Sequence, residues 1–285
     1  MKTLVPNLDV YLTGACNYRC DYCYGEDDAC GHMPGGVYDA ALAFGRHVGA
    51  SNIQMCGGEP LMNPAFEDYV TRARVAGFDV ILRTNGMLLG PHLEFVAKNC
   101  TWVGVSLDGL ADANAAMRTP RAATTAEEQF ETPVANIRAL KHLNPDIKII
   151  LATLASRKNA DAIPTFADWI VRTHLPIDRW KIYEFIADKF RSGAHRREFE
   201  MTAEAFSEMV ARLPDEVNGA PVIAQSAHTD RVAANCLIVY QSGDVKLLGK
   251  NYGNVLRTPF AEIVSALEAD RALGVVEANK NLTYN

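Results

Sequence analysis

The chain has 285 residues, 48% hydrophobic and 22% charged, a composition that excludes disordered and fibrous classes and allows one large α/β core or two ordinary domains. Its 28 Lys and Arg against 34 Asp and Glu leave a formal charge of −6, which argues against nucleic acid as a partner and suits a cationic small molecule better. No apolar run approaches the ~20 residues of a membrane span, and the N-terminus lacks a signal-peptide pattern, so a cytoplasmic protein with no membrane partner is expected.

In chain order, short β-rich apolar runs alternate with longer amphipathic ones. Strands are predicted at 10–12, 53–55, 80–82, 102–107, 147–154 and 180–185. Helices are predicted at about 38–48, 66–75, after Pro91, and at about 127–142 and 162–172. Repeated βα units imply a parallel sheet with right-handed crossovers, and ligands at the C-terminal ends of the strands. The expected fold is α/β, a partial (β/α)6 TIM-like barrel over residues 1–185. Residues 186–285 read as a short α+β extension closing the barrel mouth. It comprises a basic stretch at 189–197, a helix at 202–213 capped by Thr202, a hairpin formed by 236–240 and 245–248, and a helix at 259–267.

Seven cysteines, an odd number, three of them between positions 16 and 23, do not read as a disulfide framework. Cys16-x3-Cys20-x2-Cys23 follows the first strand, in the loop where a parallel α/β fold presents its site. Three thiolates so close in sequence can converge, and soft sulfur favours zinc or an iron-sulfur cluster. Zinc needs a fourth ligand, for which Cys30 and His32 are near; a 4Fe-4S cluster held by three cysteines leaves one iron open.

With an aromatic, Tyr22, before the last cysteine, this arrangement resembles the signature of the radical S-adenosylmethionine (SAM) superfamily. Gly57-Gly58-Glu59-Pro60 after the second strand, Thr84-Asn85-Gly86 after the third and Ser106-Leu107-Asp108-Gly109 after the fourth fit the same resemblance, which covers about residues 10–185. It implies one 4Fe-4S cluster on Cys16, Cys20 and Cys23, and SAM chelating the open iron. An electron from an external donor such as flavodoxin or ferredoxin then cleaves SAM to methionine and a 5′-deoxyadenosyl radical. It further implies that backbone at Gly57 and Gly58 approaches the methionine and that Glu59 pairs with its ammonium. Arg118 is expected to meet the SAM carboxylate, and Tyr22, Asn85, Ser106 and Thr153 to make further cofactor contacts. Arg118 also reads as a solvated arginine, and Ser or Thr at a strand end as a helix cap.

Cys30, Cys56 and Cys100 read as small buried hydrophobes. The C-terminal hairpin resembles a reduced auxiliary-cluster domain without the cysteines for a second cluster, which favours a redox-neutral outcome. The nearest resemblance is to the aminoglycoside epimerase type that converts neomycin C to neomycin B in antibiotic biosynthesis, in which a hairpin cysteine returns a hydrogen atom. Here Gly249 stands where that donor is expected. Either Cys236 takes the role, or Gly249 replaces the donor and turnover stops after abstraction. Glu26, Asp27, Asp28, Asp108 and Glu184 are the carboxylates expected to grip a cationic aminosugar. The alternatives are a viperin-like or other nucleotide-modifying enzyme, with phosphates held around Arg179-Trp180-Lys181 and 191–197, a peptide epimerase or maturase, a sugar dehydrogenase, and a non-catalytic metal-binding module.

Overall fold

A computed structural model describes residues 5–23, 31–187, 191–226, 237–247 and 249–269. Six parallel strands, β1 (Asn7–Tyr11), β2 (Asn52–Cys56), β3 (Asp79–Thr84), β4 (Trp102–Ser106), β5 (Lys148–Ala155) and β6 (Arg179–Glu184), pair in chain order. Helices α1 (Gly35–His47), α2 (Phe66–Val75), α3 (Leu93–Asn99), α4 (Ala111–Met117), α5 (Ala126–Leu143) and α6 (Ile163–Thr173) connect them. Thr125 and Glu128 close a capping box at the start of α5, which fixes where that helix begins.

The extension does not stand apart from this sheet but lengthens it at both edges. Beyond β6 come β8 (Ala220–Gln225), parallel to it, and the antiparallel β7 (Glu216–Val217). Beyond β1 come β9 (Ile238–Val239), parallel to it, then the antiparallel β10 (Asp244–Leu247) and β11 (Lys250–Asn254). Among the described residues eleven strands therefore form one open sheet. Short helices α7 (Arg191–Ala194) and α8 (Arg196–Phe199), then α9 (Ala203–Val210) and α10 (Phe260–Ala269), complete the described elements. The predicted Thr202 cap is present, its hydroxyl accepting from Ala205 N. The segment carrying β7 and β8 reads from sequence as a loop, because Gly219 and Pro221 interrupt the apolar pattern where these strands meet.

Strand alternation divides the sheet into two unlike faces. Val10, Ile53, Met55, Val80, Leu82, Val103, Val105, Ile149, Leu151, Trp180 and Ile182 are fully buried in the main core, where the helices cover them. The opposite face carries Asp9, Gln54, Arg83, Lys181, Tyr183 and Gln225, an unusually polar set. Arg83 Nη2 donates to Tyr183 Oη at 2.9 Å although β3 and β6 are separated by two strands. Flat neighbours at ~4.8 Å spacing would hold those strands roughly 14 Å apart. The two long side chains meet over the small residues Gly104 and Ala152, on the face toward which a partial barrel curls.

Candidate active site

The cysteine loop leaves the C-terminal end of β1 and is fastened on two sides. On one side Arg121 Nε donates to Cys16 O at 2.9 Å, Arg121 N to Asn17 O at 2.9 Å and Arg19 N to Thr119 O at 2.7 Å. On the other, Arg191 Nη1 donates to Cys20 O and Ser192 N to Cys23 O, both at 3.3 Å. Cys20 is buried and Cys16 and Cys23 are half-buried. Burial pushes the Cys16 thiol up to about 12, with Glu59, Cys20 and Cys23 adding to the rise against a hydrogen bond from Tyr18 N. The thiols thus lie within electrostatic reach of one another.

Among the described residues no three ligand side chains converge closely enough for a single metal ion. An all-sulfur donor set spread along a loop suits a cluster, in which each thiolate takes a different iron and must stand further from its neighbours. His32, the nearby alternative ligand, has its Nδ1 engaged by Thr13 Oγ1 at 2.9 Å; Cys30 lies outside the described residues. Cys16, Cys20 and Cys23 form a donor set that fits a 4Fe-4S cluster.

Gly57 and Gly58 are required by a close approach, but the surface they meet is the chain itself. A Cβ at Gly57, where φ is +140°, would stand 2.5 Å from Thr13 O, and one at Gly58 2.4 Å from Ala15 O. Gly58 N and Glu59 N donate to these same carbonyls, each at 2.8 Å. The two glycines stitch the β2 loop to the strand of backbone that leads into Cys16.

Glu59 is wholly buried, so its expected ammonium partner is replaced by donors within the chain. It accepts from Thr84 Oγ1 and Asn85 N at 2.8 Å and from Leu61 N at 3.3 Å. Burial raises its carboxyl to about 7, against the pull of these donors and of Arg118. Asn85, half-buried, continues the link through Nδ2 to Asn17 Oδ1 at 2.6 Å, beside Cys16. The first three strand ends are thereby tied together under the cysteine loop.

Arg118 and Asp108, expected to bind a SAM carboxylate and a substrate ammonium, instead pair with each other. Arg118, at the C-terminus of α4, brings Nε to 2.8 Å from Asp108 Oδ2, although its N–H is not aimed along that line. Tyr22 Oη donates to the same oxygen at 2.9 Å and Leu154 N to Oδ1 at 2.8 Å. Burial disfavours the charged guanidinium, and Asp108 more than restores it, raising its pKa above the ordinary arginine value. Tyr22 is thereby anchored to the end of β4.

Of the remaining predicted residues, Thr153 is on the helix-covered face, donating to Leu107 O at 2.6 Å and accepting from Trp180 Nε1 at 2.9 Å, so it holds the core rather than a cofactor. Ser106 is half-buried at the end of β4. Glu184 is buried on the helix side of β6 and accepts from Ser226 Oγ at 2.9 Å, while Tyr183 faces the concave side, as alternation requires. Cys100 is buried, which pushes its thiol up to about 12, and Cys56 donates to Val10 O at 3.4 Å. Glu26, Asp27, Asp28 and Cys236 lie outside the described residues.

Gly249 is displaced from its expected place at the mouth. Because β10 runs antiparallel to β9, which is parallel to β1, the chain descends from Val245 beside Val239 toward the N-terminal end of β1. Gly249, at φ +74°, turns there, at the opposite end of the sheet from Cys16. The turn at the cluster end is Tyr240–Gly243, where Tyr240 stacks on Tyr11 with centroids 5.0 Å apart.

Sequence reading alone missed Asn17, Arg121 and Ser192, and gave Thr84 only as part of the motif after the third strand, with no role of its own. Asn17 carries a weak signal, a polar residue beside a cysteine; Arg121 and Ser192 carry none.

A parallel sheet with a three-cysteine loop at the end of its first strand and a glycine pair locked against that loop defines a cluster-dependent α/β enzyme. Residues 10–170 match the model of the Radical SAM superfamily, more than half of the chain, and the chain belongs to that superfamily. It is 32% identical over 178 residues to a GTP 3′,8-cyclase of Chlorobaculum tepidum, covering 60% of this chain and 51% of that one. It is 29% identical over 196 residues to an S-adenosylmethionine-dependent nucleotide dehydratase of Selenomonas ruminantium, covering 65% and 69%. The chain thus spans about half the length of the cyclase relative. Among solved structures, Streptococcus suis SuiB bound to S-adenosylmethionine superposes with a TM-score of 0.68 at 13% identity, covering 91% of this chain and 65% of that one. Native anSMEcpe with bound AdoMet and Kp18Cys peptide gives 0.73 at 14%, covering 95% and 83%. These two show the fold. The superfamily uses a 4Fe-4S cluster and SAM, and an electron donor. Among the described residues no helix is long and apolar enough to cross a membrane.

Proposed function

We propose that this radical SAM enzyme acts on an anionic, phosphate-bearing small molecule of the nucleotide type. The observation that carries this reading is the cationic concave face. Lys181 is 5% exposed there, and Arg83 lies low across Gly104, where a Cβ would stand 2.5 Å from its Nη1. Cations in a concave, partly desolvated surface hold phosphate strongly. The relatives named above act, by their names, on GTP or other nucleotides.

When bound, the cluster and SAM supply hydrogen-atom abstraction from a substrate carbon. This chain's part is to hold the cysteine loop rigid through Gly57, Gly58 and Tyr22, and to orient substrate through Arg83, Lys181 and Tyr183. The aminoglycoside epimerase reading loses support on two counts. Asp108 and Glu184 are buried with partners inside the protein, and Gly249 is remote from the cysteine loop.

The test is anaerobic. The iron-reconstituted protein is reduced with dithionite and given SAM with either a panel of nucleoside triphosphates or neomycin C, and 5′-deoxyadenosine is measured. A nucleotide should stimulate cleavage. Arg83→Met and Lys181→Met should each raise its KM by about 10- to 100-fold, leaving substrate-independent cleavage unchanged. Stimulation by neomycin C alone would overturn the proposal.

A further inference from the structure

Gly104 stands in the middle of β4, in the run Trp102-Val103-Gly104-Val105-Ser106, where a glycine weakens a strand and marks a close approach by another group. Its backbone is ordinary strand, open to any residue. The group that approaches is Arg83. The three heavy atoms nearest to a Cβ at Gly104 all belong to it, Nη1 at 2.5 Å, Cδ at 2.7 Å and Cζ at 3.3 Å. Gly57 and Gly58, by contrast, meet backbone.

The guanidinium is held in that place. Arg83 is level with Gly104 in the β3–β4 register, its side chain crosses β4, and Nη2 reaches Tyr183 Oη on β6 at 2.9 Å. Gly104 is level in turn with Ile150, and Ile81 precedes Arg83 by two residues on β3. Both isoleucines are fully buried on this face, and neither belongs to the main core. Ala152, level with Lys181, continues the low surface toward that second cation. Arg83 thus rests on an apolar floor, over a strand that has no side chain at that level, with its head fastened to Tyr183. A charge so placed, partly withdrawn from water, acts strongly and in a fixed direction.

We infer that Gly104 is a positioning residue for substrate: its bare backbone sets the height at which Arg83 lies, and so how deep the anionic end of the substrate enters the concave face. This rests on the phosphate-bearing substrate proposed above. A Cβ at this position cannot coexist with Arg83 where it lies. The strand is paired on both sides, with β3 and β5, so the side chain gives way before the backbone, and the guanidinium rises and loses Tyr183. A shift of about 1 Å in an anchoring group is enough to misplace a reacting carbon.

The test compares Gly104→Ala with Gly36→Ala on α1, where nothing lies within 4 Å of the added carbon. In cluster-loaded protein reduced with dithionite, SAM cleavage is titrated with GTP, ATP, CTP and UTP in turn. The KM of the stimulating nucleotide should rise about tenfold in Gly104→Ala and stay at the wild-type value in Gly36→Ala. In an Arg83→Ala background, which leaves no side chain to displace, Gly104→Ala should change KM by less than about twofold. A second readout needs no substrate: modification of Arg83 by phenylglyoxal, followed by peptide mass spectrometry, should speed up severalfold in Gly104→Ala. Tyr183→Phe frees the guanidinium without touching the floor and should speed it likewise, which keeps the inference open to refutation if Gly104→Ala does not fold. Unchanged Arg83 modification in both variants, faster modification in Gly104→Ala at unchanged KM, or an equal rise in KM with and without Arg83 would each overturn the inference. If no nucleoside triphosphate stimulates wild-type cleavage, the substrate reading fails on that result alone, while the modification rates still decide whether Gly104 places Arg83.

Discussion

Arg118 Nε lies 2.8 Å from Asp108 Oδ2, and both side chains are withdrawn from solvent. Tyr22, between two cluster cysteines, is bonded to the same carboxylate oxygen. A buried charge pair at the end of β4 therefore sets the position of the cysteine loop from beneath.

Removing one member of that pair should cost far more than removing both. Arg118→Met leaves Asp108 buried without its cation, a loss of about 3–5 kcal/mol. The double variant Arg118→Met/Asp108→Leu should recover part of it. Urea denaturation of the iron-free proteins measures both, and a double variant no more stable than the single one would show that the pair does not act as a unit.

Gly58→Ala places a methyl group against the Ala15 carbonyl, backbone that cannot yield without moving the approach to Cys16. We expect a loss of stability of about 1–3 kcal/mol and reduced iron uptake on reconstitution. Gly77→Ala is the comparison: its φ is +88°, but nothing lies within 4 Å of the added carbon. It should cost about 1 kcal/mol and leave iron content intact. Equal iron loss in both variants would remove the argument for close approach.

Glu59 gives the iron-free protein a pH dependence of defined sign. Its carboxyl loses a proton near 4.5 when unfolded and near 7 when folded, so between these values the folded state binds more protons. Stability should therefore fall as pH rises from about 4.5 to 7 and level off above, by up to about 3 kcal/mol. Glu59→Gln should lack this decline. Unfolding free energies at pH 5, 6, 7 and 8 compare the two, and parallel curves would count against a raised carboxyl.

Thr153 separates a core role from a cofactor role. Thr153→Val removes the partner of Trp180 Nε1 and should destabilise the protein by about 1–3 kcal/mol, with SAM affinity of the reconstituted enzyme unchanged. Weakened SAM binding at wild-type stability would return Thr153 to the site.

Cys16→Ala, Cys20→Ala and Cys23→Ala should each abolish iron incorporation and SAM cleavage. Iron analysis and 5′-deoxyadenosine assays check both, and a variant retaining four irons per chain would need another ligand.

The sequence by itself determined the order of the βα units and the placing of the cysteine and glycine motifs at strand ends, because apolar periodicity and turn residues are local signals. The predicted helix at 66–75 coincides with α2, and alternation alone separated Tyr183 from Glu184. The two-residue edge strand β7 left no such trace, whereas β9 lies within the predicted run 236–240. Only the tertiary structure decided the partners of the charged and polar residues. A strand end looks the same in sequence whether its carboxylate faces a ligand or, like Asp108, an arginine brought back by the helix that follows. The glycine pair is legible as a motif, but that it meets Thr13 and Ala15 follows from two loops more than 40 residues apart packing backbone to backbone. Gly249 was displaced by strand direction: one antiparallel pairing sends its turn to the far end of the sheet, and pairing direction is a property of the folded sheet, not of the residues in the turn.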